Sequence, residues 1–492
     1  MKVLRFIAAA LALTLVACGP DDNNEGNGPQ TDNFKVVAST YTIAADGVDA
    51  VEFTATLNGE ALAADKVEAF VNDAKTQLPN MKFSTNEAGS YTIYFTYGEL
   101  RSETFLIEAV NVGGLDLSPN NEEGLTLRAT TTAFQIGVDE VLIIVRYKGE
   151  VIDPSKVTFY DLANNSELTF ESKDVTDING DSYKLAIYTA DEVGTRSIWA
   201  ARNSGPGDSR EKPVTITAVD FAIPARAIDP QPENTSFNKR MFITQFTGTE
   251  CGYCPFFIAA LKRLTEDDEY NNKFVLAAVH SYNSHDPMYP VENGDIDQTF
   301  GVSSYPTVIC DMKYSLNNNG FQTNLNQLKN RINTSLSEDA KVGISAKIAN
   351  DEGNIVVARV TVKAAEEGEY RIGAWLVEDG VYAMQYNNGC KEYSSEEFST
   401  HEAAVRIADS KPEGESHYAG HSLGKLAAGE IADKVFVMEL KQDAATDNAK
   451  LHWVKENCRL VFFVTVQTND GTYVTNVVQN DNLTQTITFD YK

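Results

Sequence analysis

Hydrophobic and polar residues alternate at period two along much of this chain, and that period predicts strands. Val51, Phe53, Ala55 and Leu57 are separated by polar residues, and so are Tyr91, Ile93 and Phe95. Alternation of this kind puts one face of a sheet in a core and the other in water. Glycine and Asp/Asn turns separate the runs, as a β-sandwich requires. The pattern returns at Val342, Ile344, Ala346 and Ile348, and further strands are expected over 356–362, 371–377, 435–440, 460–466, 473–478 and 485–489. The polar stretch 392–427 is weakly patterned and is expected to be a long loop. It holds His401, Arg406, His417 and His421; without strand or helix context, His417 and His421 make a poor metal site.

The first strand-rich part is written twice. Gly47-Val48-Asp49-Ala50-Val51 reappears as Gly137-Val138-Asp139-Glu140-Val141, Gly59-Glu60 as Gly149-Glu150, and Lys66-Val67 as Lys156-Val157, all at an offset of 90. Glu87-Ala88-Gly89 matches Glu192-Val193-Gly194 at an offset of 105, so the second copy carries an insertion, expected within 162–181. The repeat resembles bacterial immunoglobulin-like domains, which implies β-sandwiches over 34–110 and 111–220 that act as stalks or binding modules. Neither copy holds a catalytic cluster. Pro213, Pro224, Pro230 and Pro232 then mark a boundary stretch over 213–233, with a semi-rigid, proline-rich connector set at 221–236.

Between the two strand-rich parts the pattern changes. A buried strand is expected over 240–246, followed by Cys251-Gly252-Tyr253-Cys254-Pro255 and an apolar-periodic helix through Phe256, Phe257, Ala260, Leu261 and Leu264. A strand over 273–279, a short helix at 297–300, Tyr305-Pro306-Thr307-Val308-Ile309 and a helix over 325–336 complete the unit. Strand, CxxC at a helix start, strand, helix, X-Pro-Thr-strand, helix is similar to the thioredoxin fold, here over 237–338. A zinc site would need further paired Cys or His ligands, and none lies nearby in sequence.

Composition and the N-terminus add location. Lys2 and Arg5 precede an apolar run, 6–17, that is too short to span a bilayer, and Leu15-Val16-Ala17-Cys18 resembles a lipobox. Residues 1–17 thus read as a lipoprotein signal peptide, and Cys18 as the lipid-bearing cysteine. The polar tether 18–33, with Asp21, Asp22 and Glu25, resembles the acidic export signal of Bacteroidota surface lipoproteins. The expected place is the outer membrane, lipid-anchored and facing the cell surface. With 70 Asp+Glu against 41 Lys+Arg the chain lacks a basic footprint, which argues against nucleic acid as a partner.

Lipobox, acidic tether, Thr247-Gly248 before Cys251, Cys254-Pro255 and the all-β region 339–492 together resemble the Bacteroidota surface lipoproteins related to the 28-kilodalton outer-membrane protein. That resemblance covers 237–492 and adds layout more than mechanism. By position, Cys251 is expected at the helix start as the exposed nucleophile, where free N–H groups favour a thiolate, with Cys254 as the resolver. Tyr305-Pro306 is expected in cis, with Pro306 aligning a substrate backbone. Two departures from thioredoxins weaken the thiol chemistry. Gln245 stands where a buried carboxylate is usual, and Glu250 replaces the tryptophan before the first cysteine and opposes a thiolate. The segment 281–295 is either a wet loop or a cover in which His280 or His285 shuttles a proton. Cys310 is expected as a buried small hydrophobe, and Cys390 with Cys458 as a structural disulfide.

Two functions follow from this reading. One is an extracytoplasmic thiol–disulfide oxidoreductase acting on protein cysteines; the other is a surface binding or adhesion lipoprotein with a non-catalytic thioredoxin-like scaffold. Neither calls for a cofactor.

Overall fold

The computed structural model describes residues 34–492 except 39–41, 45–49, 86–88, 111–114, 116, 178, 228, 230, 232, 351–353, 413–414, 442–451 and 470. The signal peptide, Cys18 and the tether lie outside the described residues. The architecture is multidomain and β-rich, with several sheets and few helices.

The two repeats form two-sheet units with the same strand pairing. In the first, Phe34–Ala38 pairs with Val51–Leu57 in one sheet, and Thr42–Ala44 runs parallel to Phe105–Val110 in the other. In the second, Leu125–Ala129 pairs with Val141–Tyr147, and Ala133–Gln135 runs parallel to Val214–Val219. The repeated Gly59 and Gly149 occupy matching hairpin turns at φ +88 and +82, a conformation L side chains avoid. Register locates the insertion. Val51 faces Phe83, and Val141 faces Tyr188, so the offset is 90 on one strand and 105 on its partner. The extra residues make the hairpin of Glu171–Thr176 with Ser182–Tyr188, which overlaps the expected interval and extends past it. Each unit closes on a core drawn from both sheets, centred on Phe53, Phe95 and Phe105 in the first and Phe134, Phe159 and Tyr188 in the second.

The proline-bearing connector is held against the C-terminal region. Phe221 and Ile223 pack with Ile355 and Val357, Arg226 pairs with Asp433, and Asp229 accepts from the fully buried Lys363 at 2.9 Å.

The central and C-terminal regions share one sheet. Its strand order is Tyr314–Asn317, Thr307–Cys310, Met241–Thr247, Phe274–His280, Ala404–Asp409, Gly368–Glu378, Cys458–Thr468 and Gly471–Gln479, with His421–Leu426 also on Gly368–Glu378. The junction is narrow: Ala278 faces Ala404, and the Ala278 N–H donates to the Ala403 carbonyl at 2.7 Å. All seven residues of Met241–Thr247 are buried, because both faces are covered. Met241 and Ile243 pack under helices α1 (Pro255–Thr265) and α2 (Phe321–Ser335), against Leu261, Leu264, Leu328 and Ile332. Phe242 and Phe246 point the other way, into a core with Trp375, Val405 and Phe463. A second C-terminal sheet, Val342–Asn350, Ile355–Ala364 and Ile431–Glu439, packs on the face of the shared sheet opposite Trp375 and Phe463, against Leu376, Phe462 and Val464.

Three expectations are corrected. The stretch 392–427 is not a plain loop, since it contains α3 (Ser395–Phe398) and the strands Thr400–His401, Ala404–Asp409 and His421–Leu426. Its polar residues conceal strands because their partners are distant: Arg406 is buried against Glu378, 2.7 Å away. The expected strand 485–489 reduces to an isolated bridge between Ile487 and Ala346. Cys390 and Cys458 form no disulfide. Both are free and buried, and their sulfurs lie within hydrogen-bond reach of the Pro255 and Val454 carbonyls respectively. Cys310 is likewise free and buried, and burial pushes its thiol up to about 12.

Candidate functional site

The strand Met241–Thr247 delivers the chain to the CxxC turn. Gly248 is the pivot, where a Cβ would sit 2.4 Å from Tyr282 Cβ. Hydrogen bonds from Cys251 N to Gly248 O and from Cys254 N to Cys251 O, both 3.1 Å, wind the turn before α1 begins at Pro255. Cys254, and not Cys251, is therefore the cap residue of the helix. A proline at the first helical position needs no N–H partner, which fixes the start there. Cys251 and Cys254 are joined in a disulfide, with Cα atoms 5.4 Å apart.

The peptide bond between Tyr305 and Pro306 is cis. The next residue, Thr307, faces Phe246 across the antiparallel pair, so the proline turn abuts the end of the strand that leads to the disulfide. The Tyr305 hydroxyl donates to Asp297 at 2.7 Å, and its ring meets Tyr282 edge-on. Burial, with Asp297 adding to it, raises the Tyr305 hydroxyl far above the usual tyrosine range.

Burial separates this site from the expected one. Cys251 was expected to be exposed, yet it is only 4% exposed, and Cys254 is fully buried. The cover comes from residues 383–390, more than 130 residues downstream. The Gln385 side-chain nitrogen lies 3.2, 3.0 and 3.1 Å from the carbonyl oxygens of Gly248, Thr249 and Cys251. Tyr386 N donates to Thr249 O, and Asn388 N to Gly252 O, each at 2.8 Å. Gly252 permits this crossing, since a Cβ there would lie 2.4 Å from the Asn388 side chain. Pattern reading had no means of finding the strap, whose residues lack a period and whose targets are backbone atoms. Its outward side carries the exposed Met384 and Tyr386, Tyr382 just before it is exposed too, and so is Tyr253 of the motif.

A polar network underlies the turn. The Asp286 Oδ2 accepts from Thr249 N at 2.7 Å and from its hydroxyl at 3.1 Å, and lies 3.1 Å from His280 Nδ1. Burial opposes ionisation of Asp286, but His280 and the backbone N–H groups of Thr249 and Met288 outweigh it and hold the carboxyl well below its usual range. His280 meets His401 edge-on, with ring centroids 4.9 Å apart, and His401 Nε2 lies 3.0 Å from Ala383 O at the root of the strap. Burial, reinforced by His280, pushes His401 down to about 3, so it stays neutral at physiological pH. The buried His280 and Asp286 thus belong to the site, whereas His285 is exposed and its backbone N–H closes a turn with Asn283.

No family model matches the chain. No curated protein matches it either. Among solved structures, HBP35 of Porphyromonas gingivalis is 17% identical, with a TM-score of 0.39, over 51% of this chain and 77% of its own. Three N-terminal domains of the Hoc capsid protein of bacteriophage RB49 are 9% identical over 94% of this chain and 99% of theirs, with a TM-score of 0.13. A beta-glycosidase from Bacteroides vulgatus is 12% identical over 38% of this chain and 25% of its own, also at 0.13. Likenesses this loose transfer no residue role, so the chemistry rests on the geometry of the site.

Among the described residues, the others singled out in sequence make no side-chain hydrogen bond or ion pair with the disulfide, so their roles differ. Gln245 is buried in the strand that leads to it, and its side-chain nitrogen has no hydrogen-bond partner. Glu250 is exposed and accepts from Asn283. His417 pairs with Glu415 and His421 with Asp409, on the opposite side of Gly368–Glu378 from Cys458–Thr468.

Proposed function

We propose that this chain is an extracytoplasmic, lipid-anchored protein whose thioredoxin-like region exchanges disulfides with protein cysteines behind a movable strap. The lipid attaches at Cys18 and the protein faces the cell surface; the two N-terminal units are immunoglobulin-like sandwiches that hold the redox region away from the membrane. The observation that carries the reading is the Cys251–Cys254 disulfide at the head of α1, one strand from the cis Tyr305–Pro306 bond.

In the oxidised form a substrate thiolate attacks the Cys251 sulfur and displaces Cys254 as the thiolate. A second substrate thiolate then attacks the substrate sulfur of that mixed disulfide and releases Cys251. The substrate dithiol has become a disulfide, and the protein pair has taken up two electrons and the two thiol protons. The reverse sequence reduces a substrate disulfide. Pro306 aligns the substrate backbone and Tyr305 fixes that turn. Each direction requires residues 383–390 to leave the turn, since Cys251 is buried beneath them.

The same burial favours a second reading, a surface binding lipoprotein in which the disulfide is a static staple. A glutathione redox titration of the full chain separates the two. Exchange predicts a reversible transition between roughly −120 and −270 mV, and a mixed disulfide with a peptide substrate trapped by Cys254→Ser but not by Cys251→Ser. A pair that stays locked across that range, with neither variant trapping substrate, establishes the staple.

A further inference from the structure

A cleft of about 750 Å³ lies on the α1 face of the shared sheet, between that helix and residues 396–403. Its volume is that of a small-molecule site. Ile258 and Leu261 of α1 form one wall, and Phe274, Leu276 and Ala278 form the apolar part of the sheet beneath. The floor is polar. Gln245 faces Ala278 in the sheet and Thr247 faces His280, so both side chains fall on the cleft side of one strand, two residues apart.

Gln245 is 3% exposed and Thr247 1%. The Gln245 side-chain nitrogen and the Thr247 hydroxyl oxygen are buried, and neither has a hydrogen-bond partner. Buried polar groups in folded proteins are nearly always paired, and two unpaired ones on the floor of one cleft point to an absent partner. The mouth selects by charge. Lys262 is engaged with Glu397 and Arg459 with Asp379, which leaves Glu396 and Glu402 to give the opening a negative balance.

We propose that this cleft binds a small amphiphile with an aliphatic tail and an uncharged carboxamide or hydroxyl head, the head resting on Gln245 and Thr247 and the tail between α1 and Leu276. An anionic head is repelled by the acidic mouth. A cationic head finds no free carboxylate on the floor, and an ammonium, which only donates, cannot pair with the Gln245 side-chain nitrogen, itself a donor. The site shares no cysteine with the redox turn, so it does not depend on thiol chemistry.

The test uses three probes with one tail: hexanamide, hexanoate and hexylamine, titrated against the full chain by saturation-transfer NMR. Hexanamide binds with a Kd of roughly 1–10 mM, the range for eight heavy atoms at ordinary ligand efficiency, and the two charged probes bind at least about tenfold more weakly. Gln245→Leu weakens hexanamide by about fivefold or more through loss of the head contact, and Ile258→Trp, at a half-exposed wall position, abolishes binding by filling the cleft. Equal binding of the three probes overturns the proposal. So does wild-type affinity in whichever of these variants folds, or a hexanamide response that does not saturate.

Discussion

Removing the Gln385 side chain should unlock the disulfide. Its nitrogen approaches four carbonyl oxygens, those of Gly248, Thr249, Cys251 and Tyr386, at 3.0–3.2 Å. A primary amide has two hydrogens, so it fills about two of these contacts at a time. At 0.5–1.5 kcal/mol each, Gln385→Ala costs the closed strap about 1–3 kcal/mol, while Tyr386 and Asn388 keep their backbone bonds. If the strap must open before Cys251 can be attacked, the open population, and with it the rate, rises roughly 5- to 150-fold. The assay is the rate of disulfide reduction by a small water-soluble phosphine at neutral pH, with thermal melting recorded in parallel. Gln385→Glu should also open the strap, because a carboxylate facing carbonyl oxygens is repelled. A reduction rate within about twofold of wild type in both variants, with the fold intact, refutes the gating argument.

Other outcomes follow from the same contacts. Alkylation after unfolding without reductant should label Cys310, Cys390 and Cys458, one thiol each, and leave Cys251 and Cys254 unlabelled; a Cys390–Cys458 peptide would contradict the structure. Folding stability should fall as pH drops from about 6.5 to about 3. Across that window unfolded His401 binds a proton that the buried neutral ring refuses, so the unfolded state holds more protons, and each pH unit costs up to about 1.4 kcal/mol. Asp286, held low, adds to the loss below about 4. His401→Leu should flatten the slope of denaturant-derived stability between pH 6.5 and 4, and an unchanged slope assigns the effect elsewhere. Arg406→Met strands the buried Glu378, which should cost about 3–5 kcal/mol in a denaturation measurement; a loss under about 1 kcal/mol would mean Glu378 is satisfied without it.

The residues of the chain by themselves determined the elements and their local order. Period-two alternation marked the strands of both N-terminal units, and the 90 and 105 offsets foretold two copies with one pairing scheme and an insertion in the second. These signals are local: burial of one sheet face imprints a period on neighbouring residues. The CxxC turn, the helix after it and the cis proline were legible for the same reason, since short motifs encode tight backbone geometry. What only the tertiary structure decided is what lies across from each element. That Cys251 is covered follows from an amide at position 385 meeting three backbone carbonyls, and backbone atoms leave no mark on sequence. That 400–401 and 404–409 are strands follows from Arg406 and His401 finding buried partners elsewhere in the chain, which lets polar residues stand in strands where a loop was expected. That Cys390 and Cys458 stay apart was settled by packing: Cys390 is drawn against Ala259 and Phe398, and Cys458 into the C-terminal core beside Leu376 and Leu460. A disulfide requires two Cα atoms within about 7 Å, and sharing a compartment and a domain does not set that distance.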